Sequence, residues 1–158
     1  MSSPPLYRTA VAPGWIDYNG HLRDGYYVVA LSSAIDALMD QLGLDAGYRA
    51  RTRCTLYSLE MHLHWLHEVL ASDTLEIDAR ILAADQKRLH VGLEVRIARH
   101  PGPVATAEFM LLHVQQGDKP AAVAFSAEIS AAIARLQAAA GPSPWAGPGS
   151  RALSLPVR

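Results

Sequence analysis

Hydrophobic positions recur along this chain with two different periods. From Asp24 onward, Tyr27, Leu31, Ala34, Ile35, Leu38 and Leu42 fall at spacings of three and four, which predicts one apolar stripe on a long helix. Asp24 reads as the N-cap of that helix and Gly43 as its stop. Further on the period becomes two. Over 59–65, Leu59, Met61, Leu63 and Trp65 alternate with Glu60, His62 and His64. Over 74–81, Leu75, Ile77, Ala79 and Ile81 alternate with Glu76, Asp78 and Arg80. Over 89–97, Leu89, Val91, Leu93, Val95 and Ile97 alternate with His90, Glu94 and Arg96, and 105–114 is a fourth run, apolar on both faces. Each is a strand pattern, and the short connections at 83–86 and 99–103 favour an antiparallel meander.

The shorter signals fill in the ends. A strand over 7–12 stops at the turn pair Pro13-Gly14, the polar stretch 47–53 reads as a connection, and a second, Ala-rich helix starts at Ser126 and runs to about residue 140. The Gly-, Pro- and Ser-rich 141–158 reads as a tail behind one domain of 1–140. Four one-sided strands need a cover for their apolar face, and the 27–42 stripe supplies it. The fold class expected is therefore α+β, a curved antiparallel sheet wrapped around one long central helix.

Composition narrows the function. Fourteen Lys and Arg against 15 Asp and Glu are mixed along the 158 residues, for a net charge of −1, so no basic footprint for nucleic acid is present. No apolar run reaches membrane-spanning length, and the first residues lack the apolar centre of a secretory signal, so no membrane role is expected. A single cysteine, Cys54, excludes an internal disulfide and fits a reducing cytoplasm.

The candidate chemistry concentrates in Asp17-Tyr18-Asn19-Gly20-His21, just ahead of the long helix. Asp, Asn and Gly favour turns, and a turn is one account of the segment. The other is a reaction site: Asp17 as base, Asn19 and His21 as polar partners, and amides near Asp24 and Gly25 as oxyanion donors aided by the helix dipole. Glu60, His62 and His64 project together from one strand, either as a solvated edge or as site residues, with Glu60 in apolar surroundings that favour a raised pKa. His62, His64 and His67 do not follow a zinc spacing and lack a cysteine partner, so no metal is expected. Lys87 and Arg88 sit in a basic knot that is either a hairpin tip or a seat for phosphates.

The run Asp17-x-Asn19-Gly20-His21-Leu22 opening a long helix resembles the hotdog-fold acyl-CoA thioesterases of the 4-hydroxybenzoyl-CoA thioesterase type. Segments 35–39, 42–49, 55–62 and 87–90 look like the carnitine and betainyl-CoA thioesterase group. The resemblance implies hydrolysis of an acyl-CoA thioester without cofactor, in a homodimer or homotetramer with sites between subunits. Carried over, it makes Asp17 the general base or nucleophile, Asn19 and His21 its partners, and Asp24 a backbone donor to the thioester oxygen. Glu60 and His62 would face Asp17 from the other subunit, and Lys87 and Arg88 would meet CoA phosphates. A small acyl group carrying a quaternary ammonium, such as betainyl, would find aromatic faces in Tyr18, Tyr26, Tyr27, Tyr57 and Trp65, with Glu60 as a counter-charge. The sequence departs from the 4-hydroxybenzoyl type in having Tyr18-Asn19 after the Asp. Two rival functions remain at this level: a hydratase or dehydratase using His21 and Glu60 as acid and base, and a non-catalytic acyl-CoA-binding module.

Overall fold

A computed structural model of the chain describes residues 4–140 together with Trp145 and Gly147. Strand β1 (Tyr7–Ala10) leads through a single 3-10 turn at Pro13–Trp15 and a tight loop into helix α1 (Asp24–Leu42). All six residues of the predicted stripe are buried along α1. The helix ends as the sequence indicates: Gly43 takes φ +85°, and its N–H bonds back to the last turn. Its start differs by one residue. Arg23, with extended backbone, holds the N-cap position, and Asp24 is the first helical residue. The reason lies in the loop, where the amides of Leu22 and Arg23 are already bonded to the carbonyls of Val69 and Trp15. Asp24 still places a negative charge at the positive end of the helix.

The stretch 47–53, expected as a connection, folds as helix α2 (Ala46–Thr52). The Asp45 carboxylate caps it by accepting from the Tyr48 N–H at 2.7 Å. Its anchor is the buried Tyr48 hydroxyl, 3.1 Å from Nε2 of His113, whose Nδ1 lies 3.0 Å from the Val123 carbonyl. The carbonyl can only accept, so Nδ1 donates to it, which leaves Nε2 facing the Tyr48 hydroxyl.

Strands β2 (Cys54–Trp65), β3 (Thr74–Ala84), β4 (Arg88–Arg96), β5 (Ala105–Gln115) and the short β6 (Ala121–Ala122) follow, then helix α3 (Ala127–Ala139). The sheet order is β1-β3-β4-β5-β2, with β6 also on β5, and every pairing is antiparallel. The expected meander holds for β3, β4 and β5. β2 departs from it: it pairs with β5, not β3, and forms one edge of the sheet. Such long-range pairing leaves no trace in a local period.

Register divides the sheet into two faces. Pairs such as Val91↔Phe109 and Leu93↔Ala107 are buried on the inner face, which α1 covers. The row Arg80↔Gly92↔Glu108↔His62 lies on the outer face. A bulge between Ser58 and Glu60 makes Leu59 the extra residue, so it leaves the inner-face row of Met61 and Leu63 and is 56% exposed. Helix α3, capped by the Ser126 hydroxyl, buries Ile129 and Ile133.

Trp145 lies on the outer face. Its indole N–H donates to Oε1 of Glu108 at 3.1 Å, and its ring fills the space above Gly92, where a Cβ would come within 2.7 Å of it. The rest of the expected tail lies outside the described residues. Among the described residues no single helix is long and apolar enough to cross a membrane, and the apolar stripe of α1 is spent on the sheet.

Candidate functional site

The segment between Ile16 and Leu22 is a turn, and the turn is what aims its carboxylate. The Gly20 N–H donates to the Asp17 carbonyl at 3.1 Å, and the Asp17 N–H donates to the His21 carbonyl at 2.8 Å. Gly20 carries φ +81°, a conformation that Asn19-Gly20 provides at little steric cost. Within this frame Oδ1 of Asp17 accepts two backbone N–H groups, from Asn19 at 2.8 Å and from His21 at 3.0 Å. The bond from the His21 amide is the main cause holding the Asp17 carboxyl below its ordinary pKa, with the Asn19 amide and side chain helping. The turn and the candidate site are one construction.

Asp17 borders a cleft of about 280 Å³ shared with His21, Leu22, Asp24, Tyr27 and the segment from Trp65 to Glu68. Backbone bonds hold its walls together: Leu22 to Val69, and an antiparallel bridge between His21 and Leu70. Asp24, the first residue of α1, lines the cleft, with Gly25 next in the helix. The Tyr26 N–H turns back to the Arg23 carbonyl, whereas the N–H groups of Asp24 and Gly25 have no acceptor among the described residues. Space beside Gly25 is open. Two unspent donors on a helix N-terminus next to a fixed carboxylate suit a reaction that develops an oxyanion.

The three tyrosines separate. Tyr27 is buried against the cleft, and burial, followed by the charges of Asp24, Asp73 and Glu68, pushes its hydroxyl up to about 12, so it stays a donor. Tyr26 is stacked on Trp15 with centroids 5.3 Å apart. Tyr18 sits at the turn apex, almost wholly exposed.

Glu60 and His62 lie elsewhere. They project from the outer face into a small cleft with His90 and Glu108, away from α1. The Glu60 side chain is 63% exposed, so the apolar burial expected for it is absent in the single chain. Its carboxylate is 2.7 Å from Nε2 of His62, and Glu108 is 2.6 Å from Nε2 of His90. The hydratase pairing of His21 with Glu60 is therefore not assembled within one chain. Among the described residues no group of three or more His, Cys, Asp or Glu side chains is placed to hold a metal ion.

Lys87 and Arg88 occupy the β3–β4 hairpin, at the opposite end of the sheet from Asp17. Asp85 holds that hairpin: it accepts the N–H groups of Lys87 and Arg88 and pairs with the Arg88 guanidinium at 2.6 Å. These bonds bring the Asp85 carboxyl down to about 2, the Lys87 amide first among the causes. Arg88 is thus already partnered. Sequence reasoning did not place Leu66 or Glu68 at the site, because they follow the last alternating position of β2 and carry no motif. The usable signal was positional, since a strand leaving toward the helix N-terminus delivers its next residues there.

The model of the thioesterase-like superfamily matches residues 11–133. A betainyl-CoA thioesterase of Pseudomonas aeruginosa is 41% identical over 130 residues, covering 82% of this chain and 81% of its own. An L-carnitine dehydrogenase/betainyl-CoA thioesterase of Agrobacterium fabrum is 40% identical over 95% of this chain, which spans 31% of that longer protein. Among solved structures, a candidate thioesterase of Pseudomonas putida KT2440 superposes with a TM-score of 0.85 at 34% identity, over 99% of both chains. A Staphylococcus aureus protein solved in complex with CoA gives 0.88 at 23% identity, also over 99% of both, and supports the fold.

Proposed function

The chain belongs to the thioesterase-like superfamily, and from that membership we propose that it hydrolyses betainyl-CoA or a similar small acyl-CoA to the carboxylate and free CoA. The observation that carries the mechanism is the Asp17 carboxylate, held by two backbone amides beside the unspent N–H groups of Asp24 and Gly25. In this reading water attacks the thioester carbonyl as Asp17 takes its proton. The resulting oxyanion accepts from the Asp24 and Gly25 amides, with the helix dipole behind them. Collapse breaks the C–S bond, and the sulfur takes the proton back from Asp17 and leaves as free thiol. The carboxylic acid formed ionises to the carboxylate by losing its proton to solvent. The low proton affinity of Asp17 keeps it ionised and ready throughout the physiological range. His21 and Asn19 position the loop, and Tyr27 closes the cleft.

The active particle in this proposal is a homodimer. β2 is a long edge strand with Tyr57 and Leu59 exposed, a surface that invites pairing. Antiparallel pairing of β2 with its copy places the partner's hairpin end beside the Asp17 cleft, so that Lys87 reaches the CoA phosphates across the interface. A cytoplasmic location suits both the reduced Cys54 and a CoA ester.

The experiment is thiol release from a panel of acyl-CoAs by wild type and Asp17→Asn. Loss of turnover in a folded Asp17→Asn variant is expected; thiol release at the wild-type rate would remove Asp17 from the chemistry.

A further inference from the structure

The mechanism above uses one wall of the Asp17 cleft and leaves the other without a task. That second wall is the chain just beyond β2, with Trp65, Leu66, His67 and Glu68. The formal charges lining the cleft are Asp17, Asp24 and Glu68, and no Lys or Arg lines it. The two nearby guanidinium groups are bonded to other acceptors, and Arg99 lies close enough to help hold the Glu68 carboxyl low. Arg23 donates to the Ile16 carbonyl at 3.3 Å. Arg99 pairs with Asp73 at 3.0 Å and donates to the backbone carbonyl of Glu68 at 2.7 Å.

Two groups on this wall are exposed to the cleft. The Trp65 indole is 51% exposed and stacks on no other ring among the described residues. The Glu68 carboxylate is exposed and stays ionised, lowered first by its own backbone N–H and then by Arg99, His21 and His67.

We propose that Glu68 and Trp65 read a positive charge on the acyl group, and so set which acyl-CoA this enzyme prefers. The inference rests on the hydrolase reading centred on Asp17. An alkylated ammonium has no N–H to donate, so a site can recognise it only by a carboxylate at close range and by an aromatic face. Trp65 and Glu68 supply both at the edge of the reacting carbonyl. The same negative lining repels the phosphates of CoA, so this cleft takes the acyl end of the substrate and the nucleotide lies outside it.

The test compares betainyl-CoA with 3,3-dimethylbutanoyl-CoA, in which a quaternary carbon replaces the nitrogen at nearly unchanged shape. Assays at pH 8 keep imidazole charge out of the comparison. Wild type is expected to favour the cationic ester in kcat/KM. Glu68→Gln should reduce that preference by about tenfold, mainly through KM for betainyl-CoA, with the neutral ester within about twofold. Trp65→Leu should reduce it in the same direction. Glu76→Gln, a carboxylate loss on the outer face, should leave it unchanged. An unchanged preference in Glu68→Gln, with both esters turned over, overturns the inference alone, and an equal loss in Glu76→Gln does the same. Wild-type protein that releases no thiol from any acyl-CoA overturns the hydrolase reading and this inference with it.

Discussion

Two regions of this molecule hold carboxylates and imidazoles at close quarters, and they differ in what their side chains leave unbonded within one chain. On the outer face, Glu60 is bonded to His62, and Glu108 is bonded to both His90 and Trp145. Those groups satisfy one another. In the helix-side cleft, Oδ1 of Asp17 is satisfied by main-chain amides, which cannot shuttle a proton, and the His21 side chain takes no hydrogen-bond partner among the described residues. A titratable cluster thus becomes a candidate site through what its members leave unspent.

The largest effect that separates the regions is catalytic. Asp17→Asn should lower kcat by roughly 10²–10⁴ in a thiol-release assay, because the amide oxygen preserves the turn but takes no proton. Glu60→Gln should stay within about threefold of wild type; a loss comparable to Asp17→Asn would show that the outer face joins the reaction.

Next in size is a stability effect with the opposite address. Glu108→Ala strands His90 and the Trp145 indole, and should cost about 1–3 kcal/mol, several degrees in Tm, with kcat nearly intact. Equal Tm for mutant and wild type in a thermal melt would mean that the outer network is solvated rather than structural.

Gly20→Ala comes third. At φ +81° a methyl group costs about 1 kcal/mol, and relaxation of the turn moves both amides that aim Asp17. kcat should fall more than Tm suggests, and kinetics and melting on one preparation will show whether it does.

The smallest signal is in the pH profile. Because hydrogen bonds depress the Asp17 pKa in the fold, any stability its charge adds is present above the ordinary carboxylate range. It is lost only as pH falls through the lowered value. kcat should therefore show no carboxylate inflection between pH 5 and 8. A single inflection near the ordinary imidazole range that vanishes in His21→Gln would move the base from Asp17 to His21.

Much of this contrast was legible before any coordinates. The α1 stripe and the alternation in β3 and β4 announced themselves because each element buries one face along its whole length. Asp17, Asn19, Gly20 and His21 stood out because a turn with a carboxylate before a helix is a compact local pattern. What escaped is non-local or very short. Nothing periodic tells β2 to sit beside β5, and α2 rests on one cap and one buried tyrosine. The face that Glu60 and His62 occupy depends on the Leu59 bulge and on that pairing, so same-side projection was readable while its destination was not. Glu68 was missed for the same reason, since its neighbours are set by where β2 ends.

The seat of Trp145 on Gly92 makes the side chains allowed at the two positions depend on each other. A β-carbon at position 92 would come within 2.7 Å of the indole, so alanine there requires the ring of residue 145 to shift. Losing the indole in turn removes a donor from Glu108. Shrinking residue 145 opens position 92 to a side chain, and a recombinant chain cut after residue 140 takes that step in one stroke.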